Sequence, residues 1–166
     1  MDNIFTGIKA LIQKLSPLYP ADNIYKAFNN SYPVPTNNNF VIMTVYPEIK
    51  SHALLPLYNY DDTLETETWK QIDEATFQVD FYGANAIAVS ALFRAALQSA
   101  YATNYFLQNE YDCVVGIVQS TRNLTNTIDR DMYTLRYAVI FSIQFNNALT
   151  VSTLGFTETD FNVRLV

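Results

Sequence analysis

One cysteine, one histidine, one tryptophan and four glycines are present in 166 residues, and each scarcity excludes a class of chemistry. A single thiol, Cys113, rules out an internal disulfide and fits a reducing compartment. It stands among apolar neighbours in YDCVVGIV, the setting of a buried inert thiol rather than a nucleophile. Gly7, Gly83, Gly116 and Gly155 cannot build a phosphate-cradling loop, and no P-loop, dinucleotide fingerprint, GxSxG or HExxH occurs. His52 has no Cys, Ser or carboxylate at suggestive spacing, so no triad is nominated and no catalytic residue is expected. No apolar run approaches the roughly 18 residues of a membrane span. The segment MDNIFTGIKALIQKL is an amphipathic pattern broken by Lys9 and Lys14, unlike the apolar core of a signal peptide. The Asn-x-Ser/Thr matches at Asn29 and Asn123 therefore have no secretory context.

Bases are also scarce: 10 against 16 acids, for a net charge of −6. Six of the acids (Asp61, Asp62, Glu65, Glu67, Asp73 and Glu74) lie between Asp61 and Glu74 with Lys70 as the one base, so that segment holds −5 and the remainder is close to neutral. Such a chain has no basic footprint for gripping nucleic acid. It suits a position beside DNA that must slide past without adhering.

What the chain does have is apolar surface: 49% hydrophobic residues, with 12 Tyr and 11 Phe. At this length it is expected to form a single domain over 1–166, burying about 70% of its unfolded surface. The stretch from Trp69 to Phe106 organises it. In WKQIDEATFQVDFYG, Phe77, Val79 and Phe81 alternate with Gln78, Asp80 and Tyr82, which predicts a half-buried antiparallel strand ended by Gly83. From Ala84 to Phe106 the period becomes helical and predicts one long Ala-rich helix of roughly 30 Å. Ala84, Ile87, Ala88, Ala91, Leu92 and Ala95 form one apolar row, and Val89, Phe93, Ala96 and Ala100 form a second. Only Ser90, Arg94, Gln98 and Tyr101 are left as a polar stripe. A helix apolar on two sides needs two partners: the sheet, and either another helix or a neighbouring subunit.

Elsewhere, Asn3 to Leu15 reads as a first helix stopped by Pro17 and Pro20, and Asp22 to Asn29 as a short second one. Phe40 to Tyr46 is a strand, interrupted by Pro47 and continued more weakly from Ile49 to Tyr58, with Pro56 favouring a sheet edge. Asn59 to Thr68, polar except for Leu64, predicts a protruding hairpin loop. Tyr111 to Gln119 is a strand, and Ser120 to Asp131 a polar connection. From Tyr133 to Phe145 every odd position is apolar, while Thr134, Arg136, Ser142 and Gln144 lie on the even face with Ala138 and Ile140. That is the strongest alternating pattern in the chain. Leu149 to Val166 reads as a last strand or an extended arm. The order predicts an α+β fold: N-terminal helices over about 3–29, then an antiparallel sheet with the long helix over about 40–146, helices packed mainly on one face.

Two acid clusters carry weak metal readings. Asp61-Asp62-x-x-Glu65 lacks calcium-loop spacing and reads as a solvated loop, and Arg130 puts a cation inside Asp129-Arg130-Asp131. Pairing of Asp129 or Asp131 with Arg122, Arg130 or Arg136 is the expectation there. No metal or cofactor is expected.

The stretches FQVDFYGANAIAVSALFRAALQSAYA and RNLTNTIDRDMYTLRYAVIFSIQF, with Asp80-x-Tyr82-Gly83, Arg122-Asn123-Leu124-Thr125 and Arg136-Tyr137, resemble bacteriophage neck or tail terminator proteins over roughly Phe40 to Phe145. The resemblance implies a non-enzymatic virion protein of α+β fold, assembled in the host cytoplasm into a hexameric ring. Such a ring caps the tail tube and joins it to head-side connector proteins, with DNA passing through unbound. On that reading Arg136, Arg122, Asp129, Arg130 and Phe93 are candidates for the contact between subunits, and Asp61, Asp62, Glu65 and Glu67 for an acidic collar or partner loop. Two alternatives stand beside it: a ligand-binding or enzymatic α+β domain with a site of tyrosines and His52, and a tail-tube or secretion-adaptor subunit that stacks into tubes.

Overall fold

A computed structural model describes residues 1–27, 39–61, 66–129 and 132–152. Helix α1 (Asp2–Leu15) leads into a 3-10 turn (Ala21–Asn23) and strand β1 (Ile24–Lys26). Strands β2 (Phe40–Asp61) and β3 (Thr66–Tyr82) follow, then helices α2 (Ala86–Gln98) and α3 (Ala100–Gln108). The chain continues through β4 (Cys113–Asn123), β5 (Asn126–Asp129), β6 (Met132–Thr134) and β7 (Arg136–Ser152). A mixed five-stranded sheet has the order β1-β2-β3-β7-β4, and β5 and β6 form a separate hairpin. The α+β reading holds, with the helices on one face of that sheet.

Alternation decides which face they cover. Phe77, Val79 and Phe81 of β3 and Val139, Phe141 and Ile143 of β7 are buried against Ile4, Phe5, Ile8, Leu11 and Ile12 of α1 and Val89, Phe93 and Leu97 of α2. Aromatic rings fill the layer between sheet and helices: Phe5 meets Phe77 edge-on at 5.4 Å, Phe93 meets Phe141 at 5.7 Å, and Phe81 lies 5.4 Å from Phe93. Each such pair adds roughly 0.5–1.5 kcal/mol to the burial of its surface.

Several elements differ from the sequence reading. The long helix is two helices, because Ser99 is extended (φ −98°, ψ 166°) between them. Its hydroxyl donates to the Ala96 carbonyl at 2.9 Å and accepts from the Tyr101 N–H at 3.2 Å, so the side chain takes over bonds the helix would otherwise make. The expected helix at Asp22 is instead the 3-10 turn and β1, which runs parallel to β2 through Ile24↔Val41, Tyr25↔Ile42 and Lys26↔Met43. Eight residues do not sustain a helix by themselves, and the β2 edge offers ready partners. Lys26 ties this strand to α1 through Asp2 Oδ1 at 2.7 Å, which holds the Asp2 carboxyl below its usual range. Neither proline ends β2. The register shifts between Val45 and Ile49 and between His52 and Leu57, so Pro47 and Pro56 each fall inside a bulge where no ladder hydrogen bond is required. The polar connection after Gln119 contains the end of β4 and the β5–β6 hairpin.

The two apolar rows of α2 also separate. Val89, Phe93 and Ala96 are buried, whereas Ile87 and Leu92 remain 50% and 47% exposed. Phe93→Ala is therefore expected to cost about 3–5 kcal/mol in urea unfolding, and Ile87→Ala, earlier on the exposed side of the same helix, less than about 1 kcal/mol. Equal costs would mean that the helix has been assigned the wrong face.

Candidate functional site

The face of the sheet away from the helices carries the polar chemistry. Asp80 on β3 is 2% exposed and accepts from Arg136 Nε of β7 at 3.2 Å and from Gln78 Nε2 at 3.1 and 2.9 Å. Tyr46 of β2 extends the chain of bonds, its hydroxyl donating to Gln78 Oε1 at 2.8 Å. The Arg136 guanidinium also lies 5.5 Å from the centre of the Tyr82 ring, which stacks on Phe40 at 4.3 Å. Bonding to Asp80 raises the Arg136 pKa against the opposing effect of burial, so the guanidinium stays charged. Desolvation pushes the Tyr82 phenol up, leaving it neutral and a hydrogen-bond donor. The network spans three strands and locks their register, but it presents no nucleophile and no displaced proton for acid–base work.

A second buried carboxylate lies where the sheet outgrows its helices. Asp73, 5% exposed, accepts from Ser51 Oγ at 2.9 Å, Gln71 Nε2 at 2.9 Å and Asn147 Nδ2 at 3.0 Å. Beyond this point β4 has ended, since Cys113 pairs with Phe145, while β3 and β7 stay paired from Ile72↔Asn146 to Thr66↔Ser152 and β2 accompanies them to Asp61↔Thr66. The result is a three-stranded ribbon extending past β4 by roughly 20 Å at about 3.3 Å per residue.

Of the expected acidic loop Asn59–Thr68, residues 59–61 and 66–68 are instead paired strand, from Asn59↔Thr68 to Asp61↔Thr66. Asp61 closes β2, and Glu67 sits on β3 between Tyr60 and Val151, while Asp62 and Glu65 lie outside the described residues. His52 pairs with Ile72 on the ribbon backbone, and Asp129 pairs with Met132 in the β5–β6 hairpin. Arg130 and Asp131 lie outside the described residues, as does the expected arm beyond Ser152. Arg136, expected to meet Asp129 or Asp131, or a carboxylate across the sheet or on another subunit, pairs across the sheet with Asp80 of its own chain. Phe93, expected between subunits, is fully buried within its own core and cannot face another chain. Arg122 is exposed on the edge strand β4 and forms no ion pair among the described residues. No group of three or more His, Cys, Asp or Glu that could hold a metal is present among the described residues.

Sequence reading placed Asp80 and Arg136 on the polar faces of their strands, and their meeting follows from the β3–β7 register, which alternation alone does not set. Asp73 carried no signal beyond its place in an acidic run.

Geometry thus defines a class before it defines a family: an α+β domain whose buried polar groups lock strands together, with its interior filled by rings. The family described as phage neck terminator protein matches residues 2–164, and the chain belongs to it. It is a structural component of the phage head–tail junction. No curated protein matches the chain.

Two measurements follow from the buried groups. Arg136→Ala leaves Asp80 buried with Gln78 alone and is expected to cost roughly 1–3 kcal/mol; unchanged thermal and urea unfolding would remove the lock. Burial, with Asp112 beside it, pushes the Cys113 thiol up to about 11. Thiolate is therefore depleted about a hundredfold at mildly alkaline pH, and labelling by a disulfide reagent at pH 8 is expected to be at least about 100-fold slower in the folded protein than in denaturant. Comparable rates in the two states would contradict the buried position.

Proposed function

We propose that this chain is a non-enzymatic ring subunit of the phage neck that caps the tail tube and joins it to the head-side connector. The observation that carries this reading is the apolar row of α2 left exposed at Ile87 and Leu92, although the row of Val89, Phe93 and Ala96 already packs in the core. A family member with an uncovered helix face, a filled core and a long projecting ribbon is suited to contacts with other chains. Hexameric closure is the stoichiometry we assign, through head-to-tail contacts that use two different patches on every subunit. The subunit assembles in the host cytoplasm and ends in the virion.

Asp61, Asp62, Glu65 and Glu67 are proposed to form a collar at the opening of the ring, or a surface that docks a basic partner. Repulsion between the collar and DNA leaves no counterion release to gain from binding, so DNA passes without adhering. Since Asp61, Asp62, Glu65 and Glu67 stand in a stretch of sequence with little apolar content, their conversion to serine should leave melting unchanged. Infectious yield should fall by about tenfold or more, the scale on which electrostatic steering changes association. Normal yields from the quadruple variant would sink the collar. For the ring itself, light scattering on the purified chain, alone and with tail tubes, is the test: a mass of six subunits is expected, and a strict monomer in both settings would overturn it.

A further inference from the structure

Helix α2 leaves a groove where it passes the later part of β4. Ile87, Ala91 and Arg94 of α2 form its wall, and Thr121 of β4 and Tyr137 of β7 lie across from them, around a volume of about 310 Å³. Thr121 pairs with Val139, a core residue, so the groove opens on the face of the sheet that the helices cover. Helix α3 meets β4 earlier, where the Val115 N–H donates to Thr103 Oγ1 at 3.4 Å, and none of its residues lines the groove. Three features there lack a counterpart. Ile87 is half exposed, and the exposed Ala88, Ala91, Leu92 and Ala95 continue its apolar surface along the helix. The Thr121 hydroxyl is buried without a hydrogen-bond partner among the described residues. Arg94 is exposed and forms no ion pair among the described residues, and neither α2 nor β4 contains an acid.

The chain carries a segment of matching chemistry. In residues 153–166, TLGFTETDFNVRLV, Glu158 and Asp160 stand directly ahead of Phe161, Val163 and Leu165, an apolar residue at every second position, with Asn162 and Arg164 falling on the other side. The family match runs through this segment to residue 164. It begins at the far end of the ribbon, where Ser152 pairs with Thr66. Along β7, Ser152 is fifteen residues from Tyr137, roughly 50 Å at about 3.3 Å per residue. Phe161 follows Ser152 by nine residues, which span at most roughly 32 Å at full extension. Phe161 therefore cannot reach the groove of its own chain, and only the groove of another copy can receive it.

We infer that residues 158–165 of one subunit lie in the α2–β4 groove of the next copy of the same chain, with Phe161 against Ile87, Ala91 and Tyr137 and with Glu158 and Asp160 meeting Arg94. This rests on the ring reading and names its contact. A carboxylate on the exposed guanidinium makes a charge-assisted bond, and a backbone carbonyl of the docked segment accepts from the Thr121 hydroxyl. Each subunit gives a segment at one place and receives one at another, which is the head-to-tail arrangement that a closed ring requires.

Cysteine cross-linking of the full chain tests this directly. The double variant Ala91→Cys/Phe161→Cys is expected to give an oxidant-dependent ladder up to six chains, and each single variant no more than dimers. Mixing the two single variants is expected to link one to the other. Arg94→Glu is expected to weaken assembly by about tenfold or more while leaving melting unchanged, and adding Glu158→Lys and Asp160→Lys to restore it. A disulfide formed within one chain of the double variant would overturn the exchange between copies. A wild-type ring whose double variant gives no ladder, and which tolerates Arg94→Glu, would overturn this contact but keep the ring. No ladder, with Ile87→Lys sparing the ring but abolishing attachment to tail tubes, would assign the groove to a tube subunit instead. A wild-type monomer, alone and on tail tubes, would overturn both the contact and the ring.

Discussion

The pairing of β3 with β7 is the constraint on which everything else in this structure depends. It runs without a register shift from Thr66↔Ser152 to Tyr82↔Arg136, while each flanking strand is bulged. A slip of one residue would turn Phe77 or Phe141 from the helix layer to the opposite face. The same slip would carry Arg136 away from Asp80, leaving a buried carboxylate with Gln78 alone. Apolar packing on one face and a charged lock on the other therefore select a single register. The helices inherit their positions from it, because Phe93 fits between Phe81 and Phe141 only when those two rings share a face.

That division of labour explains what could be read before any coordinates. Alternation in Phe77–Phe81 and Tyr137–Phe145 specifies strands and their buried faces, because period 2 is a local property of the chain, whereas Tyr133, expected on the same strand as Phe145, falls in β6 before a break at Leu135. Of the polar stretch Asn59–Thr68, read as a loop, residues 59–61 and 66–68 are instead strand, because the β2–β3 ladder continues through them. Ser99 was not legible as a break: Ala-rich sequence on both sides fits one helix, and the competing hydroxyl bonds are geometric. Asp22–Lys26 failed because a parallel strand of three residues is stabilised almost entirely by its partner. For the candidate surfaces the limit was sharper. Periodicity gave two apolar rows on the α2 segment but could not say which one the sheet would take, so Phe93 was assigned outward when Ile87 and Leu92 are the exposed residues.

The bulged edges bear on how such a subunit would assemble. An unblunted edge strand pairs with any other edge through its backbone, at many registers, and open-ended growth follows. Here Pro47 removes a donor from the β2 edge and Ser142 captures the Ile117 N–H that β4 would otherwise offer. Both edges are thereby kept from pairing through a continuous backbone ladder, and Ile117, Tyr46 and Ile49 are exposed beside the bulges. Shaped patches fix an angle between neighbours, whereas a free ladder does not. A fixed angle is what a head-to-tail contact needs if it is to close into a ring rather than continue as a filament. The long ribbon is consistent with this economy, because its three strands are paired with one another.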